Sequence, residues 1–492
     1  MGDLQLTTNL MRNSFVWVSP SEKALTSCIA WKKGAVEKVV APKNAGGEWE
    51  FSIQIDDGNT QTIRTVALDT YNNDFELVKP RDEYMSLAST KGLNDMTGLT
   101  YLNEPSIIEC LRLRYIMKRI YTNTGPILIA INPCESLSIY TPEEVNTFYS
   151  NGLSHERQDL NPHVYEVGDR AYRRMFVDPY DPNMRENQTI LVSGESGAGK
   201  TVSMKHILHY LAVVSSTVST EIGTETLTSD IESQIVASNP INESFGNAKT
   251  SRNGNSSRFG KFTELRYSAE GCIESANIKT YLLETVRVPR QTAGERNFHI
   301  FYEIFAGLTS RQKADFGLTA PKAFNYLNQT NTFDRGDGES DTANFDKLRE
   351  AWGTLDIPNK LQDELLKIVV GILHLGNIEF VHVEGIGEDF VDFHPSCVWN
   401  VKLVHKLLGI PPEDLLLTLT KRSINVMGTD IAKNLSYNQA ITTRDSFAQE
   451  VYLRLFNWMM TQINDVISGG RTHEEENSAS FIGLLDIFGF EF

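Results

Sequence analysis

Cysteine is scarce in this chain of 492 residues, and its five copies exclude more than they suggest. Cys28, Cys110, Cys134, Cys272 and Cys397 are odd in number, widely scattered and never spaced as metal ligands. Reduced thiols in a cytoplasmic protein are therefore expected, rather than a disulfide framework or a zinc site. Long apolar runs are missing too. The longest, around residues 365–375, is broken by Lys367 and is far too short to span a bilayer. The opening MGDLQL has neither the basic nor the apolar region of a signal peptide, and Leu6 stands where myristoylation needs Ser or Thr. Triplets such as Asn328-Gln329-Thr330 then read as chance glycosylation matches. Positive charge is also in deficit, with 46 Lys and Arg against 63 Asp and Glu. The net charge of −17 argues against a general polyanion binder and so against nucleic acid, while leaving room for local basic patches.

What the chain does have is QTILVSGESGAGKT at 188–201. A β-branched and apolar run at 189–192 reads as a buried strand, and it feeds directly into Gly194, Glu195, Ser196, Gly197, Ala198, Gly199, Lys200 and Thr201. Glycines let the backbone turn so that successive N–H groups converge, and a helix expected from Lys200 to about Val214 aims its positive end at the same point. That is a phosphate cradle. Lys200 would reach the β- and γ-phosphates, and the Thr201 hydroxyl would hold Mg²⁺. The four fixed positions arise by chance in about 2% of chains this long, and the flanking strand and helix lower that further.

At this length two or more subdomains are expected around a large α/β core. Residues 1–80 carry short β-type runs at 15–18, 28–31, 36–40, 49–55 and 61–66, with Asp57-Gly58 as a hairpin turn, which suggests a small β-barrel. From about 85 to 132 the pattern is helical, with Ile107, Ile108, Leu111 and Tyr115 at helix spacing, and then a buried strand at 127–131. A further helix is expected over 163–175. Residues 178–186 and 215–230 read as loops, the second Ser/Thr-rich and mobile, a surface insertion. Two strands at 260–267 and 271–282 follow, then a mostly helical region with amphipathic stretches at 363–375 and 444–463. An apolar strand at 481–485 ends in Asp486.

Asp486 fits the second partner position for Mg²⁺ in a phosphate-loop enzyme, or caps whatever follows its strand. The loop 247–261 is crowded with hydroxyls, amides and cations that could line a triphosphate, or could form an ordinary polar loop. Together, GESGAGKT, NAKTSRNGNSSRFGK and LDIFGFE resemble the P-loop, switch I and switch II of the myosin motor head. The resemblance extends to DMTGLTYLNEPSIIECLRLRY at 95–115, IYTNTGPILIAINP at 120–133, TYLLETVRVPRQTAGERNFHIFYEIF at 280–305 and RDSFAQEVYLRLFNWM at 444–459. Kinesins share the cradle but use a DLAGSE-type second switch, and a guanine reader of the form Asn-Lys-x-Asp is missing at 359–362.

The resemblance implies an α/β P-loop NTPase core with a twisted mixed sheet flanked by helices, an SH3-like N-terminal barrel over 1–80 and a partial motor domain over 81–492. Within the latter, 81–293 would hold the P-loop and switch I, 294–480 an upper actin-cleft region, and 481–492 the switch II strand and loop. It implies ATP and Mg²⁺ as cofactors and the actin filament as partner in the cytoskeleton, with light chains or calmodulin bound only through a lever absent here. Residues 194–201 would bind phosphates, Ser257 would join Thr201 on Mg²⁺, and Asn247 and Asn253 would lie on the nucleotide. Ser256 would relay the attacking water's proton, Arg258 would pair with Glu491 when the switches close, and the Gly489 N–H would sense the γ-phosphate. Asn132, Pro133 and Tyr140 match the adenine-side loop, although Cys134-Glu135-Ser136 replace the aromatic and basic residues common in relatives. Thr429 stands sixteen residues before Asp445, where relatives carry an acid or a phosphorylatable hydroxyl that tunes actin binding; an ordinary loop threonine is the alternative. The residues given stop before any relay helix, converter or lever, so the expectation is the nucleotide-hydrolysing part of a motor, or else a nucleotide-binding regulatory module without motor output.

Overall fold

The computed structural model describes residues 15–18, 32–40, 49–56, 61–68, 78–81, 92–154, 159–176, 186–222, 225–384, 390–426, 429–469 and 480–486. The chain divides into two compact units, residues 1–144 with 154–166, and 145–153 with 167–492. No described helix is long and apolar enough to cross a membrane.

In the first unit, Phe15–Val18, Lys32–Val40, Trp49–Asp56, Gln61–Leu68 and Val78–Pro80 form one antiparallel five-stranded sheet. Period-2 alternation puts Phe51, Ile53 and Ile55 on one face, where they bury with Val16, Val18 and Val36. The runs expected at 15–18, 36–40, 49–55 and 61–66 all lie in these strands, whereas 28–31 and the turn at 57–58 fall outside the described residues. The helix Glu104–Ile116 starts on Asn103, whose side chain accepts from the Ser106 N–H. Its buried face is not the purely apolar one. Glu109, Cys110 and Arg114 turn inward, while Ile108 and Tyr115 stay exposed. Arg114 is affordable inside because its guanidinium donates to Tyr121 O (2.6 Å), Thr122 Oγ1 (2.8 Å) and Asn94 Oδ1 (2.8 Å). The strand expected to be buried at 127–131 is instead the outer arm of a hairpin, Ile127–Ala130 on Tyr121–Thr124, with Ile127 exposed.

The second unit is built on a mixed four-stranded sheet in the order Ile273–Tyr281, Gly260–Tyr267, Ser480–Asp486, Gln188–Val192. The first two contacts are antiparallel and the last is parallel. Register pairs Asp486 with Val192 on one side and Lys261 on the other, so the acid stands beside the end of the cradle strand. At the Ile273–Tyr281 edge, Asn464 reaches in from a helix: its Nδ2 donates to Ile278 O (2.9 Å) and its Oδ1 accepts from Ile278 N (2.8 Å).

Within the Ser/Thr-rich stretch 215–230 the described residues, 215–222 and 225–230, are helical rather than a mobile loop: the helix after the cradle runs Lys200–Ile222 and the next is Glu225–Gly246. The hydroxyls of this stretch find partners without leaving the helix. Thr217 and Thr220 donate to the carbonyls four residues back, and the fully buried Ser215 accepts the Ile273 N–H of the sheet at 2.8 Å. Sheet contact therefore overrides weak propensity. The region after 294 is mostly helical, with Asn359–Gly376 and Tyr437–Ile467 covering the two amphipathic stretches. The long helix opens on a capping box of Ser436 and Gln439. It buries Tyr452, Phe456, Met459 and Ile463 along one stripe; Tyr452 stacks on Phe298 and Phe301 and donates to Phe245 O at 2.7 Å. Thr429 opens a hairpin strand, Thr429–Asn434 on Lys421–Val426, so it does not lie in a loop.

Candidate nucleotide site

The strand Gln188–Val192 delivers the chain to the cradle, and Lys200 opens the helix that leaves it. Gly197 and Gly199 adopt φ of +82° and +94°, a region that a side chain strains, so the turn requires glycine at both. Lys200 folds back over the loop: its Nζ donates to Gly194 O at 2.8 Å and Glu195 O at 2.9 Å. Two further segments meet the cradle. Ser196 Oγ lies 2.9 Å from Ser256 Oγ, and Thr201 Oγ1 donates to Asp486 Oδ2 at 2.9 Å. The cradle, the loop 247–258 and the end of the 480–486 strand thus converge.

The loop between them holds its own shape. Thr250 N donates to Asn253 O at 2.9 Å, Asn255 N to Asn253 Oδ1 at 3.0 Å, and Asn247 Nδ2 to Asn255 Oδ1 at 3.0 Å. A two-residue antiparallel bridge pairs Ser256 with Ala248 and Ser257 with Asn247, which pins both serines at the loop's exit. Beside Asp486, burial pushes the Lys261 ammonium down to about 8, against the attraction of Asp486 and Glu243.

Arg258 has an acidic partner that the motif comparison does not name. Its Nε donates to Glu284 Oε2 at 2.8 Å and its Nη1 to Ser256 Oγ at 3.1 Å. Glu284 also receives Arg287 Nε at 2.7 Å. Burial raises the Glu284 carboxyl, but the bonds and charges of the two guanidiniums outweigh it and leave its pKa below the ordinary value. The i,i+3 spacing of Glu284 and Arg287 in ETVRVPR is visible in sequence, but nothing local ties that acid to Arg258, 26 residues earlier. Glu491 and Gly489, the expected partner and phosphate sensor, lie outside the described residues.

Asn132, Pro133 and Tyr140 belong to the first unit. Asn132 Oδ1 accepts from Cys134 N at 2.9 Å, Pro133 O accepts from Tyr115 Oη at 3.3 Å, and the Tyr140 and Tyr121 hydroxyls meet at 2.8 Å. Glu135, one of the unusual residues, pairs with Lys118 at 2.8 Å.

Residues 93–492 match the family model of the myosin head (motor domain). This chain belongs to the myosin head family. Among similar proteins, Myosin-4 of Saccharomyces cerevisiae is 37% identical over 452 residues, covering 90% of this chain and 29% of that protein. Myosin-52 of Schizosaccharomyces pombe is 38% identical, covering 90% of this chain and 28% of its own length. Myosin-16 of Arabidopsis thaliana is 38% identical over 486 residues, covering 99% and 35%. The chain thus spans roughly a third of the length of the curated relatives it matches. A myosin head carries the P-loop NTPase fold, which accounts for the mixed sheet with the cradle at the end of one parallel strand.

Proposed function

We propose that this chain binds Mg²⁺·ATP between its cradle, its switch I loop and Asp486, and hydrolyses it as part of an actin-based motor. The observation that carries the reading is the convergence of Ser196 with Ser256 and of Thr201 with Asp486, which gathers three distant segments around one point. The donor set suits the metal. Among the described residues no cluster of three or more His, Cys, Asp or Glu forms a ready cage, and Mg²⁺ prefers a few protein oxygens together with phosphate and water. Thr201 and Ser257 would hold it, with Asp486 orienting Thr201, and the bound ion would neutralise charge on the phosphates. Residues 194–201 would grip the phosphates, with Lys200 turning from loop carbonyls to phosphate oxygens. Asn247 and Asn253 would flank the nucleotide, Ser256 would relay the proton of the attacking water, and Arg258 would shut the pocket with Glu491, Gly489 sensing the γ-phosphate. Such a site works by positioning and charge neutralisation, without a strong protein base.

Asn132, Pro133 and Tyr140 are assigned to the adenine. The five-stranded sheet of residues 1–80 is read as an SH3-like barrel, 81–293 as the nucleotide core, 294–480 as the upper actin-cleft region and 481–492 as switch II. In the complete protein the partner is the actin filament of the cytoplasm, with light chains or calmodulin bound elsewhere in the chain. Thr429, on its hairpin, is assigned as a phosphorylation site tuning actin affinity; unequal actin-activated rates for T429A and T429E in the complete head are expected. The nucleotide assignment is tested with a fluorescent ATP analogue: K200A should abolish binding that the parent chain shows, and binding unchanged by K200A would overturn it.

A further inference from the structure

Switch I is held from behind as well as from the cradle. Opposite the cradle stands the loop 333–340, which leads into the helix Asp341–Thr354. Lys249 Nζ donates to Asp334 O at 3.0 Å. Five residues further along switch I, Gly254 presses on Asp337: a Cβ at Gly254 would lie 2.6 Å from Asp337 Cβ, 2.8 Å from its Cγ and 3.0 Å from Arg335 O. The backbone itself does not demand glycine there, because φ lies outside the left-handed region. The demand comes chiefly from Asp337, through an atom next to its backbone that cannot swing aside, with the Arg335 carbonyl close behind.

Asp337 is itself fixed. Arg335, a buried cation, donates to it through Nε at 3.2 Å and Nη2 at 2.9 Å, and Glu339 N donates to Asp337 Oδ1 at 3.1 Å. On the other face of the loop, Asn253 lies against the cradle, its Cβ 3.8 Å from where a side chain of Gly197 would begin. Adjacent residues of switch I, Gly254 and Asn253, thus meet a rigid stop on one side and the cradle on the other. A polar cavity of about 330 Å³ lined by Lys205, Glu243, Asn255, Arg335, Asp337 and Lys347 adjoins the contact, so a displaced loop has room to move.

We propose that Asp337 is a positioning residue: it occupies the space left by the missing side chain of Gly254 and thereby fixes how closely Asn253 and Ser256 approach the cradle. This rests on the reading of 247–258 as switch I. The contact acts on the placement of groups around the γ-phosphate, so it should govern hydrolysis far more than nucleotide affinity.

The test uses the full-length protein with G254A, the pair R335Q/D337G and the triple variant, followed by fluorescent ATP-analogue binding and single-turnover Mg²⁺·ATP hydrolysis. Arg335 is changed with Asp337 so that no buried cation loses its partner. G254A should bind within about threefold of the parent yet hydrolyse at least about tenfold more slowly, since misplacement of 1 Å is costly. The triple variant should recover to within about threefold of R335Q/D337G, the mark of two coupled residues. K249M, which removes the Asp334 contact and leaves the Gly254 contact untouched, should shift the same balance in the same direction. Parental hydrolysis by G254A, a triple variant as slow as G254A, or equal loss of binding and hydrolysis would overturn the proposal. Failure of the underlying reading is separate and would show as K200A binding nucleotide normally.

Discussion

The hydroxyl of Thr201 donates to the carboxylate of Asp486 at 2.9 Å, joining residues 285 positions apart. Parallel register makes this possible: Asp486 sits beside Val192 at the end of the strand that leads into the cradle, and Thr201 is the second residue of the helix that leaves it. Asp486→Asn keeps an acceptor for Thr201 but removes the charge that, on the proposed function, would orient it toward Mg²⁺. The Mg²⁺ dependence of nucleotide binding should weaken by about 10- to 100-fold, measured by titrating Mg²⁺ against a fluorescent ATP analogue.

Glu284 is the shared acceptor of Arg258 and Arg287, and the two guanidiniums are only 11% and 4% exposed. Glu284→Ala should destabilise the fold by about 2 kcal/mol, because it withdraws charged hydrogen bonds from two poorly solvated cations. Urea denaturation compares the variants, and Glu284→Gln should fall between parent and alanine.

Glu303 is buried and accepts from Ser244. Burial pushes its carboxyl from an ordinary 4.5 up to about 7, so the native state favours the neutral acid. Its contribution to stability is therefore full below about pH 4.5 and is lost as the pH rises through about 7. Glu303→Gln should flatten the fall in urea midpoint between pH 5 and pH 7.5 relative to the parent, with the variant gaining most on the alkaline side.

Tyr452 carries a buried hydroxyl donating to Phe245 O, where the long helix meets the chain just before the loop 247–258. Tyr452→Phe keeps the ring stack with Phe298 and leaves that carbonyl without this donor, at a cost of about 1–2 kcal/mol in chemical denaturation.

These residues also show where a sequence stops being readable. The cradle and its strands were legible because glycine spacing and period-2 alternation are local. The meeting of 194–201, 247–258 and Asp486 was legible only through the joint resemblance of three motifs. Glu284 as partner of Arg258 was not, since no periodicity relates a loop arginine to an acid in the next turn but two elements away. Ser215 misled in the other direction: a polar stretch reads as solvent-facing until the Ile273 N–H that it satisfies is known. The burial of Arg114 has no sequence signal either, since it depends on three acceptors from other segments. Gly254 was only one glycine in a polar loop, and its neighbour Asp337 lies in a loop with no motif of its own.

The paired hydrogen bonds between Asn464 and Ile278 bear on how the molecule behaves in a crowd. An edge strand with unsatisfied N–H and C=O groups invites a strand from another molecule, the first step of edge-to-edge aggregation. By occupying both groups of Ile278, one side-chain amide makes the middle of that edge unavailable as a template for another strand.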